Sequence, residues 1–460
     1  MKAVKQSDKL LDNAKRIHMI GIGGSGMCPL AEVLSTKGYT VSGSDTVETA
    51  KTEYLRGLGI TVFIGQKPEN VEGADLVAYS AAIPETNPER KAAAKKGIPT
   101  MERSVLLGAL TRQYENCIGV AGTHGKTTVS SIITQILLLN KREPTAVIGG
   151  TLPIAGSSAV IGDSDILVCE SCEFVNSFLE FSPDISVLLN IDNDHLDFFG
   201  NMENLAKSFR EFVSLSKVSY VNGDSQTVID TVSGLDTKII TFGKQKNNDF
   251  YADNIKMGKY GYCFDVYKNG EKIGSLSMHI PGEHNIYNGL VSFAVCYDLG
   301  VSPEGIAEAV SKFTGAGRRF ESYGTFSGIQ VIDDYAHHPT EIEATIKAAK
   351  SLTDGKVTVV FQPFTYSRVA LLKDGMIKAL SHADKVFLTP IVASREENIY
   401  GVSSSDIANA LPDAQVVEDY ELLTEKMINS AQSGDILITM GAGDIYKVAE
   451  RISEKLNENG

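Results

Sequence analysis

The sequence predicts an α/β protein of three domains built on parallel sheets. Two observations carry this. Short apolar runs of four to seven residues alternate with amphipathic helical stretches almost from end to end, the βαβ pattern of sheets covered by helices on both faces. The chain's 460 residues also exceed one ordinary core, so several domains are expected.

The first series runs from RIHMIGIGG through YTVSGSD and ADLVAYS to about Ser104. The second opens with NCIGVAGTHGKTT, passes through AVIGG, DILVCE, DISVLLNI and VSYVNGD, and ends near GAGRR. The third starts at IQVIDDYAHH and continues with VTVVFQP, KVFLTPIV and DILITMGAGD. Domain boundaries are placed at 1–107, 108–316 and 317–460. Within the second series, KIITFG, FYADNIKM and YCFDVYKNGEKIGSLSMHI alternate and contain a Lys-Asn-Gly turn, which predicts an added antiparallel subsheet of hairpins.

Hydrophobic residues make up 43% and charged residues 22% of the chain, as in soluble globular proteins. The N-terminal stretch MKAVKQSDKLLDNAKR is polar and no run of about 18 apolar residues occurs, so a cytoplasmic protein is expected. Six cysteines, mostly inside apolar stretches, suit reduced buried thiols. With 43 Lys and Arg against 57 Asp and Glu, the formal charge is -14. That balance disfavours a nucleic-acid binder, whose footprint is basic, and leaves anionic ligands to local positive sites at helix N-termini.

Four loci carry chemistry. Gly21-Ile-Gly23-Gly-Ser-Gly26 lies between a strand and a helix with the spacing of a diphosphate-binding turn. Asp45, at the end of the next strand, is placed to hold a ribose hydroxyl. NAD and a UDP-sugar both fit this locus. Gly122-Thr123-His124-Gly125-Lys126-Thr127-Thr128 follows CIGVA and opens a helix. Its backbone N–H groups can cradle phosphates, Lys126 can reach the outer phosphates and the Thr127 hydroxyl can ligate Mg²⁺. Val120 stands where the longer phosphate-loop motif has glycine.

The third locus is VCESCEF. A zinc site would need two further ligands at workable spacing, and a redox pair would open a helix after the first strand of its own fold. Neither context is present, so Cys169 reads as a small core residue beside a functional Glu170. Glu170 and His195 each follow a buried strand, and both can converge on Mg²⁺, which prefers oxygen ligands at roughly 2.0 to 2.1 Å.

The fourth locus comprises GAGRRFE, DDYAHHPTE, FQPFTYSR and GAGDI, each beside a strand of the third series. Arg318 or Arg319 can stabilise charge on a transferring phosphoryl group. His284 and Asn285, at a loop-to-helix junction, can contact a base or cap the helix.

As an ordered set, HMIGIGGSGM, GTHGKTT, NIDNDHLD, GEHNIYN, GAGRRFE, DDYAHHPTE, FQPFTYSR and GAGDI resemble the Mur ligase family over nearly the whole chain. The resemblance implies an N-terminal Rossmann-like UDP-binding domain, a central P-loop ATPase domain and a C-terminal Rossmann-like domain. It implies that ATP phosphorylates the lactyl carboxylate of UDP-N-acetylmuramate and that L-alanine displaces the phosphate, in peptidoglycan precursor synthesis. ATP and Mg²⁺ are the implied cofactors, with no membrane or nucleic-acid partner.

Carried over by position, Gly21, Gly23, Gly26, Ser44 and Asp45 match the uridine-nucleotide site, and Lys126, Thr127, Glu170 and His195 the phosphate and magnesium site. His284, Asn285, Asn288 and Arg319 match further ATP contacts, while Tyr335, His337 and Arg368 match the amino-acid site. Two departures stand out: many relatives have EADESD where this chain has Glu170-Ser-Cys-Glu173-Phe-Val, and a histidine in place of Phe364. Of the two acids, Glu170 is preferred as principal metal ligand because it directly follows the strand. An NAD-dependent oxidoreductase would leave GKTT, Glu170 and His195 unexplained, and a non-catalytic nucleotide sensor would need no complete phosphoryl-transfer set.

Overall fold

A computed structural model describes residues 5–258, 260–394 and 396–458; residues 1–4, the start of the polar N-terminal stretch, lie outside them. The chain forms two compact units. One holds Met1–Asp253, Asp265–Leu276 and Tyr287–Val310, and the other Asn254–Phe264, Ser277–Ile286 and Ser311–Gly460. Three sheets organise the chain.

The first sheet contains β1 (Arg16–Ile20), β2 (Thr40–Asp45), β3 (Thr61–Ile64), β4 (Leu76–Tyr79) and β5 (Thr100–Glu102) in the order β3-β2-β1-β4-β5. All its pairings are parallel. Strand order reverses at β1, and a loop leaving such a switch point opens onto a crevice. The glycine-rich turn follows β1 directly, and helix Cys28–Thr36, with Pro29 in its first turn, follows the glycines.

The second sheet contains β6 (Asn116–Ala121), β7 (Thr145–Leu152), β8 (Ser157–Val160), β9 (Ile166–Glu170), β10 (Ile185–Leu188), β11 (Val218–Asn222), β12 (Lys238–Gly243), β13 (Phe250–Met257), β14 (Tyr262–Lys268) and β15 (Glu271–Ser277). Its order is β15-β14-β13-β12-β11-β10-β6-β9-β7-β8. Here β6 is the switch strand, parallel to β9 on one side and to β10 on the other. The residues after β6, β9 and β10 therefore share one edge.

One expectation is corrected. KIITFG, read as part of the hairpin subsheet, is β12 and pairs parallel with β11, from Val218↔Lys238 to Asn222↔Phe242. The cause is the helix Gln226–Val232, which carries the chain back across the sheet before β12 begins. The β12–β13 pairing is parallel too, at Phe242↔Phe250. β14 and β15 are joined by Asn269 and Gly270, which both have positive φ, 51° and 88°, as the Asn-Gly hairpin turn requires.

The third sheet contains β16 (Glu321–Phe326), β17 (Ile329–Asp334), β18 (Val357–Gln362), β19 (Lys385–Leu388), β20 (Gln415–Val416) and β21 (Ile436–Gly441), ordered β16-β17-β21-β18-β19-β20. The sequence reading began the third series of strands at β17 and missed β16, which pairs antiparallel with it across Ser327-Gly328. The alternation of ESYGTF is weak because this edge strand is only partly covered. Its two inner strands β18 and β21 are buried at all six positions, as helix-covered parallel strands must be.

β17 ends on two acids, Asp333 and Asp334, neither of them exposed. Asp334 accepts hydrogen bonds from Phe320 N (2.9 Å), Ala336 N (2.7 Å) and the Thr345 hydroxyl (3.2 Å). Burial outweighs the nearby Arg319 charge and pushes its carboxyl up to about 6. A carboxyl raised in the folded state stabilises the fold most when protonated, and that contribution is lost as pH rises through about 6. Urea unfolding of Asp334→Asn is expected to lose a component of the pH slope of stability between about pH 4 and 6, of up to ~1.4 kcal/mol per pH unit. An unchanged slope would remove Asp334 as its source.

Candidate active site

The loop after β6 is shaped by two glycines. Gly122 has φ 136° and Gly125 φ 88°, conformations that side-chain-bearing residues rarely adopt. Space is also restricted: a Cβ on Gly122 would lie 2.9 Å from Leu189 Cβ, and one on Gly125 2.9 Å from Asn288 Oδ1. Asn190, just past β10, pins the turn from the other side. Its side-chain carbonyl accepts from His124 N (2.8 Å), its amide donates to His124 O (3.0 Å), and its backbone carbonyl accepts from Thr123 N (3.2 Å). His124 Nε2 is 3.2 Å from Asp192 Oδ2. Helix Lys126–Leu139 starts at the lysine, so its N-terminal N–H groups face the turn; Thr128 lies in this first turn.

Lys126 and Thr127 meet different acids. Lys126 Nζ donates to Gly122 O (2.6 Å), Thr123 O (3.0 Å) and Glu173 Oε2 (2.9 Å). Both partners of this ion pair are nearly inaccessible, at 12% and 2% side-chain exposure. Burial alone would favour the neutral amine, but the neighbouring acids, Glu173 foremost, outweigh it and keep the ammonium charged. The Thr127 hydroxyl instead donates to Glu170 Oε2 (2.9 Å), which also accepts from Gly149 N (2.9 Å).

The segment after Glu170 folds back to make this possible. Val175 and Asn176 have left-handed φ values of 49° and 59°, an unfavourable state for a β-branched residue. They tighten the turn Phe174–Glu180. Cys169 is buried and Cys172 half-buried, both as free thiols. Burial, reinforced by Glu173, pushes the Cys172 thiol up to about 11, far from a reactive thiolate. His195 has φ 56° and packs against Phe174 with the rings tilted by 44° and their centroids 4.8 Å apart, with Asp194 Oδ2 3.7 Å from its Nε2.

At the first sheet, Gly21 adopts φ 78°, and Gly21 N and Ile22 N donate to Ser44 O (2.8 and 3.0 Å). Gly23 N donates to Asp45 Oδ2 (2.9 Å). A Cβ on Gly26 would lie 3.2 Å from the Arg103 side chain. The Ser44 hydroxyl, expected to face a nucleotide, is fully buried and donates to Glu89 Oε2 (2.6 Å).

The remaining candidates form a separate set on the second unit, apart from Asn288, which lies on the first. The paired arginines divide the roles left open by the sequence. Arg318, at φ 59°, is committed to structure: it donates to Asp333 Oδ2 (3.0 Å), Gly443 O (2.8 Å) and Gly441 O (2.7 Å), and lies between the Tyr335 and Tyr446 rings. Arg319 rests over Tyr335, 5.2 Å from its centroid, with Glu341 Oε1 3.9 Å away. Tyr335 and His337 meet edge to face at 5.5 Å, and His337 Nδ1 is 3.0 Å from Tyr335 O. Arg368 lies in the first turn of helix Tyr366–Leu380. His284 and Asn285 open helix His284–Asp298, and Asn285 Nδ2 donates to Pro281 O (2.6 Å). Sequence reasoning missed Asn190 and Glu89, because nothing in their local context distinguishes a clamp from an ordinary loop or surface-helix residue.

Family models described as Mur ligase family, catalytic domain, Mur ligase middle domain and Mur ligase, glutamate ligase domain match residues 16–115, 120–296 and 318–443. A UDP-N-acetylmuramate--L-alanine ligase of Caldicellulosiruptor saccharolyticus is 43% identical over 448 residues, covering 96% of this chain and 98% of its own. One from Alkaliphilus metalliredigens is 42% identical, covering 95% and 97%. The crystal structure of UDP-N-acetylmuramate-alanine ligase from Thermotoga maritima superimposes with a TM-score of 0.82 at 28% identity, covering 97% of this chain and 100% of that one. Matched by three consecutive family models and by relatives of like length, the chain belongs to the Mur ligase family.

Proposed function

We propose that this chain joins L-alanine to the lactyl carboxylate of UDP-N-acetylmuramate with ATP, giving ADP and phosphate, in peptidoglycan precursor synthesis. The observation that carries the choice of substrates is the 43% identity, over 96% of the chain, to a UDP-N-acetylmuramate--L-alanine ligase. The ATP half is supported by the buried Lys126–Glu173 pair beside the Thr127–Glu170 pair.

A carboxylate is a poor electrophile at neutral pH, so the reaction needs two steps. The γ-phosphoryl group moves to a carboxylate oxygen, its bond to the β–γ bridging oxygen breaks and ADP leaves with that electron pair. The amine of L-alanine then attacks the acyl carbon, a C–N bond forms, phosphate departs with the C–O electrons and the amine proton is lost to solvent. The protein's task in the first step is to bring anions together. Loop N–H groups and the Lys126 ammonium neutralise the phosphates, and Glu173 holds that ammonium in place.

The converging hydroxyl and carboxylate oxygens of Thr127 and Glu170 suit Mg²⁺, a hard cation, with His195 as a further candidate ligand. Bound there, Mg²⁺ would supply charge neutralisation on the phosphates. Gly122, Thr123, His124, Gly125, Thr128, His284, Asn285, Asn288 and Arg319 are assigned to ATP, and Gly21, Gly23, Gly26 and Asp45 to the uridine nucleotide, while Ser44, its hydroxyl buried against Glu89, shapes that turn rather than touching the ligand. Tyr335, His337 and Arg368 are assigned to the amino acid, whose carboxylate a guanidinium can hold. The domains are taken as 1–107, 108–316 and 317–460, the first boundary passing through helix Arg103–Arg112. Among the described residues no helix is long and apolar enough to cross a membrane, and a cytoplasmic location matches the nucleotide substrates.

Phosphate release from ATP with Mg²⁺ should require both UDP-N-acetylmuramate and an amine, with L-alanine preferred over glycine, L-serine and a short peptide. Release with the peptide alone would move the amine assignment, and none with any amine would refute the ligase reading. Lys126→Ala should lower ATP turnover by about a hundredfold or more while UDP-N-acetylmuramate still binds; full activity would refute the phosphate-loop assignment. Glu170→Gln should raise the Mg²⁺ concentration needed for half-maximal release, whereas Glu173→Gln should lower kcat without that shift. The reverse pattern would make Glu173 the metal ligand.

A further inference from the structure

Helix Pro88–Lys96 reads as a solvated, charged surface helix, yet its second residue, Glu89, is fully buried. An unpaired buried carboxylate is costly, and this one is paired from several directions. Its Oε2 accepts from the Ser44 hydroxyl (2.6 Å), and its Oε1 from Asn70 Nδ2 (2.5 Å) and Lys67 N (3.3 Å). His18 Nε2, from β1, stands 3.7 Å from Oε2. Burial works to raise the carboxyl, but the nearby His18 ring and the hydrogen bonds from Ser44 and Asn70 outweigh it and hold the group below the usual carboxylate range, hence charged.

The placement of these partners gives the carboxylate a further role. Ser44 is the next-to-last residue of β2, Lys67 and Asn70 follow β3, and Glu89 itself follows β4, so one side chain ties together the ends of three parallel strands at the same sheet edge. Ser44 passes the constraint on. Its hydroxyl is held by Glu89, while its backbone carbonyl receives Gly21 N and Ile22 N, and the next residue, Asp45, receives Gly23 N. The glycine turn is thus suspended from Ser44–Asp45, and Ser44 is anchored to Glu89.

We infer that Glu89 is a positioning residue for the sugar-nucleotide site, holding the glycine turn in its binding-competent shape through Ser44 without touching the ligand. The inference rests on the uridine-nucleotide assignment of that turn. A merely structural carboxylate would affect melting temperature alone, whereas a positioning residue changes the fraction of molecules with a competent turn and so the apparent affinity.

Titration calorimetry with UDP-N-acetylmuramate and, separately, a non-hydrolysable ATP analogue tests this. If the competent fraction falls to about a tenth, Glu89→Ala raises the sugar-nucleotide Kd about tenfold, with kcat at saturation and the ATP-analogue Kd nearly unchanged. Glu89→Gln, which keeps the shape and one acceptor oxygen, should recover most of that loss. Ser44→Ala removes only the hydroxyl link and should raise the same Kd, which serves if Glu89→Ala does not fold. Wild-type sugar-nucleotide affinity in these variants, or an equal rise for the ATP analogue, overturns the inference. Failure of the wild-type protein to bind UDP-N-acetylmuramate would overturn the uridine assignment itself, and this inference with it.

Discussion

The buried ion pair between Lys126 and Glu173 is the interaction around which the phosphate-loop region is built. An ammonium at 12% exposure survives only with a partner and with its remaining hydrogens bonded; removing one member of such a pair costs about 3–5 kcal/mol. The chain meets that demand with two loop carbonyls and one carboxylate. The carboxylate sits three residues past β9, and just beyond it the chain turns through the left-handed Val175 and Asn176. Strain of this kind costs on the order of 1–3 kcal/mol per residue and persists where surrounding structure over-determines it. The same reversal sets Phe174 against His195, so the pairing of Lys126 also arranges the residue after the neighbouring strand.

The two nucleotide-type turns share a design. Each leaves the switch strand of a parallel sheet, β1 or β6, where neighbouring strands diverge and a crevice opens. Each has a buried carboxylate near it, Glu89 or Glu173. Their action differs. Glu173 meets the lysine that serves phosphate, whereas Glu89 meets the serine from which the glycine turn hangs, together with Asn70 and the Lys67 backbone. In both, a charged group is retained in the interior because several donors surround it. Geometry, rather than stability, explains its presence there, since an apolar residue would fill the same space.

Much of this was legible in the primary structure. The alternation of apolar runs with helical stretches located the main strands, and the glycine spacings located both turns, because helix-covered parallel strands leave a strong local pattern. Elements held by partners distant in sequence were harder to see. KIITFG alternates like a hairpin strand, but its direction is set by the helix before it. β16 lies at an edge where one face is only partly covered, so its pattern carries little signal.

The residues themselves show the same division. Motif order along the chain identified the family and named Lys126, Thr127, Glu170 and His195, since phosphate chemistry demands particular side chains at particular offsets from a strand end. Which acid meets Lys126, which of Arg318 and Arg319 is committed to structure, and where the Ser44 hydroxyl points were decided only in three dimensions. The first depends on how β6, β9 and β10 lie side by side, and the other two on the buried carboxylates Asp333 and Glu89 that Arg318 and Ser44 meet. Neighbouring strands here come from distant parts of the sequence, so no local pattern encodes their pairing.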